Sequence, residues 1–253
     1  MNEKDAVRKA FSKNKDAYII SSTHSKGSDL ALLKEWINPQ KNMNVLDIAT
    51  GGGHVAKHLS PSVKFVHATD LTQSMLENTA KHLHDYENIE FILADAEDLP
   101  FLNNRFDVVT CRIAAHHFPT PEKFIKEVYR VLKPTGKFIF IDNIASEDKE
   151  LDHFINTLEK MRDFSHVRSL KISEWKQLLE QVNLEIIKEN RRKKVLPFDE
   201  WSKRTLDTEE QIREVADFLL HSSKDIHNYH QIKINNGMID SFAIDEWMVL
   251  CEK

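Results

Sequence analysis

Val45-Leu46-Asp47-Ile48-Ala49-Thr50-Gly51-Gly52-Gly53-His54 sets apolar strand-forming residues before an acid, and then a loop with three consecutive glycines. A strand that runs into such a loop and then a helix brings bare backbone N–H groups and a helix N-terminus close to a ligand. The stretch therefore reads as the cradle of a nucleotide-type cofactor. A tight structural turn is the plainer alternative.

Spacing discriminates between cofactors. A dinucleotide fold wants G-x-G-x-x-G, whose third small residue lets the helix pack closely on the strand. Counted from Ala49, this chain gives Ala49, Gly51 and His54, with an imidazole in the third place. The other frame, Asp47-x-Ala49-x-Gly51-x-Gly53, is an acid followed by small residues at every second position. That frame resembles motif I of the class I S-adenosylmethionine-dependent methyltransferases. The family usually has glycine where Ala49 stands, and Ala followed by Thr-Gly is similar to the form found in ubiquinone/menaquinone C-methyltransferases.

If Asp47 ends the first strand, a second is expected about 20 residues on, closing with an acid that binds ribose hydroxyls in either cofactor class. Val63 to Thr69 is that run, and Asp70 follows it. Leu71 comes next, and Thr72 is placed to cap a helix with Met75, Leu76, Thr79 and Leu83 on one side. A third strand, Ile89 to Leu93, ends at Ala94-Asp95-Ala96-Glu97-Asp98-Leu99-Pro100-Phe101. In the methyltransferases that this chain resembles, an acid at this point hydrogen-bonds the adenine amino group. Asp95 and Ala96 match, and Glu97 and Asp98 are expected to be solvated. Strands from Phe106 to Cys111 and from Lys137 to Asp142 complete the series, with a helix from Pro121 to Leu132 between them. Lys133-Pro134-Thr135-Gly136 is expected to stop that helix.

At 253 residues and 41% hydrophobic content the chain can bury one large α/β core without disulfides. Cys111 and Cys251 both fall in predicted strands and are expected to be reduced core residues. The charged, amphipathic start lacks an apolar signal region and no stretch approaches a membrane span, so a cytoplasmic protein is expected. A net charge of −5 argues against a broad nucleic-acid surface.

Residues 1–253 read as one methyltransferase domain. Residues 1–37 hold two helical patterns about a polar hinge, Ser21 to Ser28, and would form a lid; 38–142 form the cofactor-binding core. Residues 143–172 and 197–235 read as cap insertions. Helices are expected from Glu147 to Phe164 and from Ser173 to Val182, the latter with an N-cap serine, and a sixth strand within Leu184 to Leu196. A hairpin turn at Asn236-Gly237 and a last strand from Glu246 to Glu252 close residues 236–253.

Ligands of open α/β sheets bind outside the carboxyl ends of the strands. There, after the fourth strand, the chain reads Thr110-Cys111-Arg112-Ile113-Ala114-Ala115-His116-His117-Phe118-Pro119. Methyl transfer from a sulfonium is an in-line displacement, so a protein chiefly aligns acceptor and methyl. A phenolic acceptor, with a pKa near 10, is only about 0.1% ionised at pH 7, a gap worth roughly 4 kcal/mol that an imidazole base can help to close. His116 and His117 are the candidates, with His24 in the lid and His166 behind them; a buried histidine that only satisfies a backbone group is the plainer reading. Arg112 is placed to pair with a substrate anion or a protein carboxylate.

Other readings are weaker. The Asn/Asp-Pro-Pro-Tyr/Phe tetrad of amino-methylating DNA enzymes is absent, and Thr110-Cys111 lacks the proline and second cysteine of RNA cytosine C5-methyltransferases. His227-x-x-His230 lacks the glutamate of a zinc motif, so no metal is expected. Arg191-Arg192-Lys193-Lys194 reads as a solvated strand edge, with an anion or tRNA contact as the alternative.

The resemblance, to the methyltransferase type 11 group, implies an α/β Rossmann-like fold with a seven-stranded, mostly parallel sheet. Its last strand would be antiparallel, between the fifth and sixth, with helices on both faces and a helical cap. It implies S-adenosyl-L-methionine as cofactor, held by Asp47, Ala49, Gly51, Gly53, Asp70, Leu71, Asp95 and Ala96 with Arg112 beside them. The partner would be a small organic methyl acceptor, quinone- or phenol-like compounds among them, and a homodimer is compatible. A cofactor-binding module without turnover, and an RNA-modifying enzyme, are the alternatives.

Overall fold

The computed structural model describes residues 2–20 and 28–253, so the polar hinge from Ser21 to Gly27, with His24, lies outside the described residues. Two helices, α1 (Glu3–Ile20) and α2 (Ser28–Ile37), precede the first strand. The alternation that follows is β1 (Asn44–Ile48), α3 (His54–Leu59), β2 (Phe65–Asp70), α4 (Gln73–His82), β3 (Ile89–Leu93), β4 (Phe106–Arg112), α5 (Pro121–Val131) and β5 (Leu132–Ile144). The chain continues with α6 (Lys149–Arg162), α7 (Ile172–Gln181), β6 (Glu185–Pro197), α8 (Phe198–Ser202), α9 (Glu209–Leu220), α10 (Lys224–Tyr229), β7 (Lys233–Asn235) and β8 (Met238–Glu252).

The strands lie in the order β3-β2-β1-β4-β5-β8-β6, parallel from β3 to β5, with β8 antiparallel to both its neighbours. This is the Rossmann-like order expected of a class I methyltransferase fold. The sheet has eight strands rather than seven, because β7 folds back on β8 across Asn236-Gly237. Gly237 adopts φ +78°, a value that suits glycine in such a turn.

Apolar residues alternate between two cores. Leu46, Val109, Phe138 and Phe140 pack on the side of α5 and α7, while Val45, Val108, Ile139 and Ile141 pack on the side of α2 and α3. Both faces of the central strands are therefore buried, as parallel sheets require. Each such side chain contributes about 1.5–3 kcal/mol on burial, so a one-residue slip, which exchanges the two faces, is strongly disfavoured. A third cluster, including Phe154, Trp201, Leu219 and Phe242, joins the helices of residues 143–172 and 197–235 to the far ends of β6 and β8. Cys111 and Cys251 are buried free thiols.

Three local expectations are corrected. The last strand begins at Met238, not Glu246, because buried Phe242 and Ala243 extend its pairing with Leu196 and Val195. Helix α7 starts one residue before Ser173: Lys171 is the capping residue, its N–H donated to the Glu174 carboxylate at 2.8 Å, and Ser173 donates its hydroxyl to Glu147 instead. The Arg191–Lys194 run lies on the sheet's edge strand, as expected, with Arg191 exposed, but it is ion-paired and not simply solvated. Arg192 and Lys194 face Asp29 and Glu246 while Arg191 and Lys193 face Asp245, following the two-residue period of β6. Among the described residues, no helix is long and apolar enough to cross a membrane.

Candidate functional site

The glycine loop is fixed by the acids that flank it. Asp47, at the end of β1, accepts the Thr50 hydroxyl at 2.6 Å and the Thr110 hydroxyl at 2.7 Å. Burial pushes its carboxyl up to about 6, against the pull of those two hydroxyls and of Arg112. Asp70, at the end of β2, accepts the Gly51 N–H at 3.1 Å and the Thr72 N–H at 2.9 Å, one on each oxygen. Thr72 starts α4 without a capping bond from its own hydroxyl, and Asp70 fixes the Thr72 backbone instead. Burial raises the Asp70 carboxyl, and those backbone N–H groups oppose the shift. Each oxygen of Asp70 keeps a lone pair for a further donor.

The glycines divide their work. Ala49, Gly51 and Gly53 all have positive φ (+53°, +52° and +73°), which accounts for the family's usual glycine at the position of Ala49. A Cβ on Gly51 would meet nothing within 4 Å, so its backbone fronts open space. At Gly53 a Cβ would lie 2.6 Å from side-chain atoms of both Thr79 and Leu83. Gly53 thus lets α3 start against α4 and does not line the cleft.

That open space is a cleft of about 980 Å³, counting the part open to solvent, at the carboxyl ends of β1 to β4. Asp47, Ala49, Gly51, Asp70, Leu71, Asp95, Ala96 and Arg112 all line it. Its roof is α1, through Lys4, Val7 and Phe11. Lys4 Nζ reaches Asp95 at 2.5 Å and Glu97 at 2.7 Å. Glu97 is consequently not solvated as expected; it is buried, and also accepts the Thr120 N–H at 2.6 Å. Arg112 meets a protein carboxylate, donating from Nε to the buried Asp29 of α2. Asp29, Lys4 and Asp142 were silent in the sequence, since their partners lie far along the chain.

His116 and His117 occupy a 3₁₀ turn after β4, with ring centroids 4.3 Å apart. His116 holds Asp142 twice: its backbone N–H donates to one carboxylate oxygen at 2.9 Å and its Nδ1 lies 2.6 Å from the other. Burial alone would push this imidazole down, but Asp142 holds it above the ordinary histidine value. His117 Nδ1 lies 3.0 Å from the Ser165 carbonyl, a bond in which Nδ1 must donate, leaving Nε2 with its lone pair. Burial, helped by the charge of His116, pushes His117 down to about 4. His166 stacks against the pair, 5.7 Å from His116, and burial pushes it down to about 3.

A second cavity of about 490 Å³, counting the part open to solvent, adjoins the cleft at these rings. His117, Phe11 and Ile113 line both; His116 lines only the second. Ile113 has φ +54°, an uncommon and costly conformation for a β-branched residue, and such strain tends to collect at functional sites.

A methyltransferase-domain family profile matches residues 46–140, which span the glycine loop and the first five strands. The uncharacterized methyltransferase YcgJ of Bacillus subtilis is 35% identical over 237 residues, 92% of this chain and 94% of that protein. The chain belongs to the methyltransferase family. The ubiquinone/menaquinone biosynthesis C-methyltransferase UbiE of Rickettsia typhi is 36% identical over 148 residues, 54% of this chain and 60% of that one. The crystal structure of a methyltransferase candidate from Bacillus halodurans C-125 superposes with a TM-score of 0.87 at 39% identity, covering 90% of this chain and 99% of that one.

The buried histidines give this methyltransferase a measurable acid limit. His117 and His166 titrate lower in the fold than in the unfolded chain, so stability present above about pH 6.5 is lost as pH falls toward 4. Asp47, raised to about 6, works the other way, since its protonation below 6 relieves a buried charge. For these three groups, two histidines against one carboxyl leave a net loss of about 3 kcal/mol between pH 6.5 and 4. Urea midpoints are therefore expected to be lower at pH 4.5 than at pH 7, and less so in His166→Gln. An unchanged midpoint across that interval would show that the histidines do not set it.

Proposed function

We propose that the cleft binds S-adenosylmethionine and that the protein transfers its methyl group to a small organic acceptor held in the second cavity. The observation that carries this reading is Asp70, which presents both carboxylate oxygens beside the open face of Gly51. Its unused lone pairs suit the two ribose hydroxyls. Asp47, ionised above about 6, suits the cationic amino group of the methionine moiety. Asp95 suits the adenine amino group in the place where Lys4 now pairs with it, so α1 acts as a lid that yields when the cofactor enters. Arg112 stays with Asp29 and braces the β4 end of the cleft.

When bound, S-adenosylmethionine supplies an electrophilic methyl group, and the electron pair of the broken C–S bond leaves on the thioether. The protein aligns the acceptor in the second cavity, where His117 borders the cleft, and excludes water with α1. His116, backed by Asp142, takes the proton that the acceptor atom loses. Its role differs from that of His117, whose neutral ring lines both compartments.

Calorimetry tests the cofactor directly. S-adenosylmethionine and S-adenosylhomocysteine are expected to bind, and NAD is not, because His54 stands where a dinucleotide loop needs a small residue. Asp70→Ala removes two charge-assisted hydrogen bonds and is expected to cost about 2–3 kcal/mol of cofactor binding. Tight NAD binding with no heat from S-adenosylmethionine would overturn the reading. Normal binding by Asp70→Ala would reduce this acid to a loop anchor.

A further inference from the structure

We propose that the second cavity selects an acidic acceptor, a small carboxylic acid carrying the methyl-accepting group, whose carboxylate lies against Lys194. This rests on the reading of the neighbouring cleft as the methyl-donor site.

Lys194 belongs to a network of buried and half-buried charges. Asp29 pairs with Arg112 and Arg192, and Glu246 pairs with Arg192 at 2.5 Å and with Lys194 at 3.5 Å. Glu246 and Asp29 attract the Lys194 ammonium, while Arg112 and Arg192 repel it. Among the described residues Lys194 has a single ion pair, the longest in this network, and its side chain lines the cavity. Burial pushes the ammonium below its ordinary value, which a second anion would reverse. A buried cation held only at long range is poorly compensated, and an incoming carboxylate adds the closer interaction.

The rest of the wall agrees. Arg204 and Arg162 also line the cavity, and Arg162 pairs with Glu159 at 2.7 Å. Glu159 is the one carboxylate among the lining residues, against the basic side chains of Lys194, Arg162 and Arg204. Asn143 Oδ1 is buried there without a hydrogen-bond partner, ready to accept from a hydroxyl of the ligand. His116 stands on the same wall as the proton acceptor. A hydroxy acid would therefore have its carboxylate, its hydroxyl and its departing proton each met by a group already in place. The lone pair of the accepting oxygen forms the bond to the methyl carbon as the C–S bond breaks, and the proton passes to His116.

The test is calorimetric titration of the protein, saturated with S-adenosylhomocysteine, with small aliphatic and aromatic hydroxy acids. Salicylate and 3-hydroxybutyrate are suitable probes, each set against its own methyl ester. At least one acid is expected to bind about tenfold or more tightly than its ester. Lys194→Met should lose about tenfold or more of that affinity, and Arg204→Gln should weaken it too. Affinity for S-adenosylhomocysteine should stay within about twofold in both variants, which also shows that they fold. Equal binding of acids and esters, or parental binding of acids by both variants, overturns the proposal. Failure of the methyl-donor reading would appear separately, as no heat from S-adenosylmethionine with the parent protein.

Discussion

His116→Ala is expected to lower turnover by about a hundredfold or more once an acceptor is in hand, with cofactor affinity within about twofold of the parent. The ring lines the acceptor cavity and not the cofactor cleft, so its loss removes a proton acceptor without touching the donor. Because Asp142 holds His116 above the ordinary histidine value, turnover of the parent should rise with pH through a group titrating above about 6.5. A base must be neutral to accept, which fixes the sign of that rise. Asp142→Asn should move the inflection to lower pH and reduce turnover at the plateau, as expected of a positioning residue. His117 makes a sharp contrast: at about 4 it is already neutral at physiological pH. An inflection near pH 4, with turnover lost in His117→Ala and kept in His116→Ala, would exchange the two roles. Full turnover in both variants would leave alignment alone to account for the reaction.

The parts of this site that were legible in the sequence are those set by local chain geometry. Asp47, Asp70 and Asp95 each end or follow an apolar run, and the parallel order places such ends along one rim. Their convergence on one cleft therefore followed from strand pattern alone. The histidine pair was legible by the same rule. Long-range polar pairing was not. Glu97 looked solvated beside Asp98, yet Lys4 from the first helix buries it. Asp142 looked like the plain end of a strand, because nothing nearby in sequence shows that it meets His116. The basic run of β6 was correctly placed on a strand edge, but its ion pairs were missed for the same reason. Its acids, Asp245 and Glu246, lie about 50 residues on in a strand whose start was itself placed too late. Charge pairing across antiparallel strands becomes readable only after the register is known.

Gly53→Val is expected to destabilise the protein by about 4 kcal/mol, the sum of a left-handed β-branched residue and an overpacked contact at about 1–3 kcal/mol each. At about 2–4 °C per kcal/mol for a chain of this size, the melting temperature should fall by roughly 10 °C. The clash is not easily relieved. The new Cβ would lie 2.6 Å from Thr79 and from Leu83, and Thr79 is held by donating its hydroxyl to the Gly51 carbonyl at 2.6 Å. Leu83 is buried, so it has little room to retreat. Gly51→Ala is the matched control, because its Cβ would meet nothing and only the backbone cost of about 1–2 kcal/mol applies. That variant should melt within a few degrees of the parent but bind S-adenosylmethionine about tenfold or more weakly, since the added methyl occupies space that the cofactor needs. Two neighbouring glycines would then separate cleanly into one that maintains the packing of α3 on α4 and one that leaves room for the ligand. Parental stability in Gly53→Val would mean that α3 can shift away from α4, and the assignment of Gly53 to packing would fail.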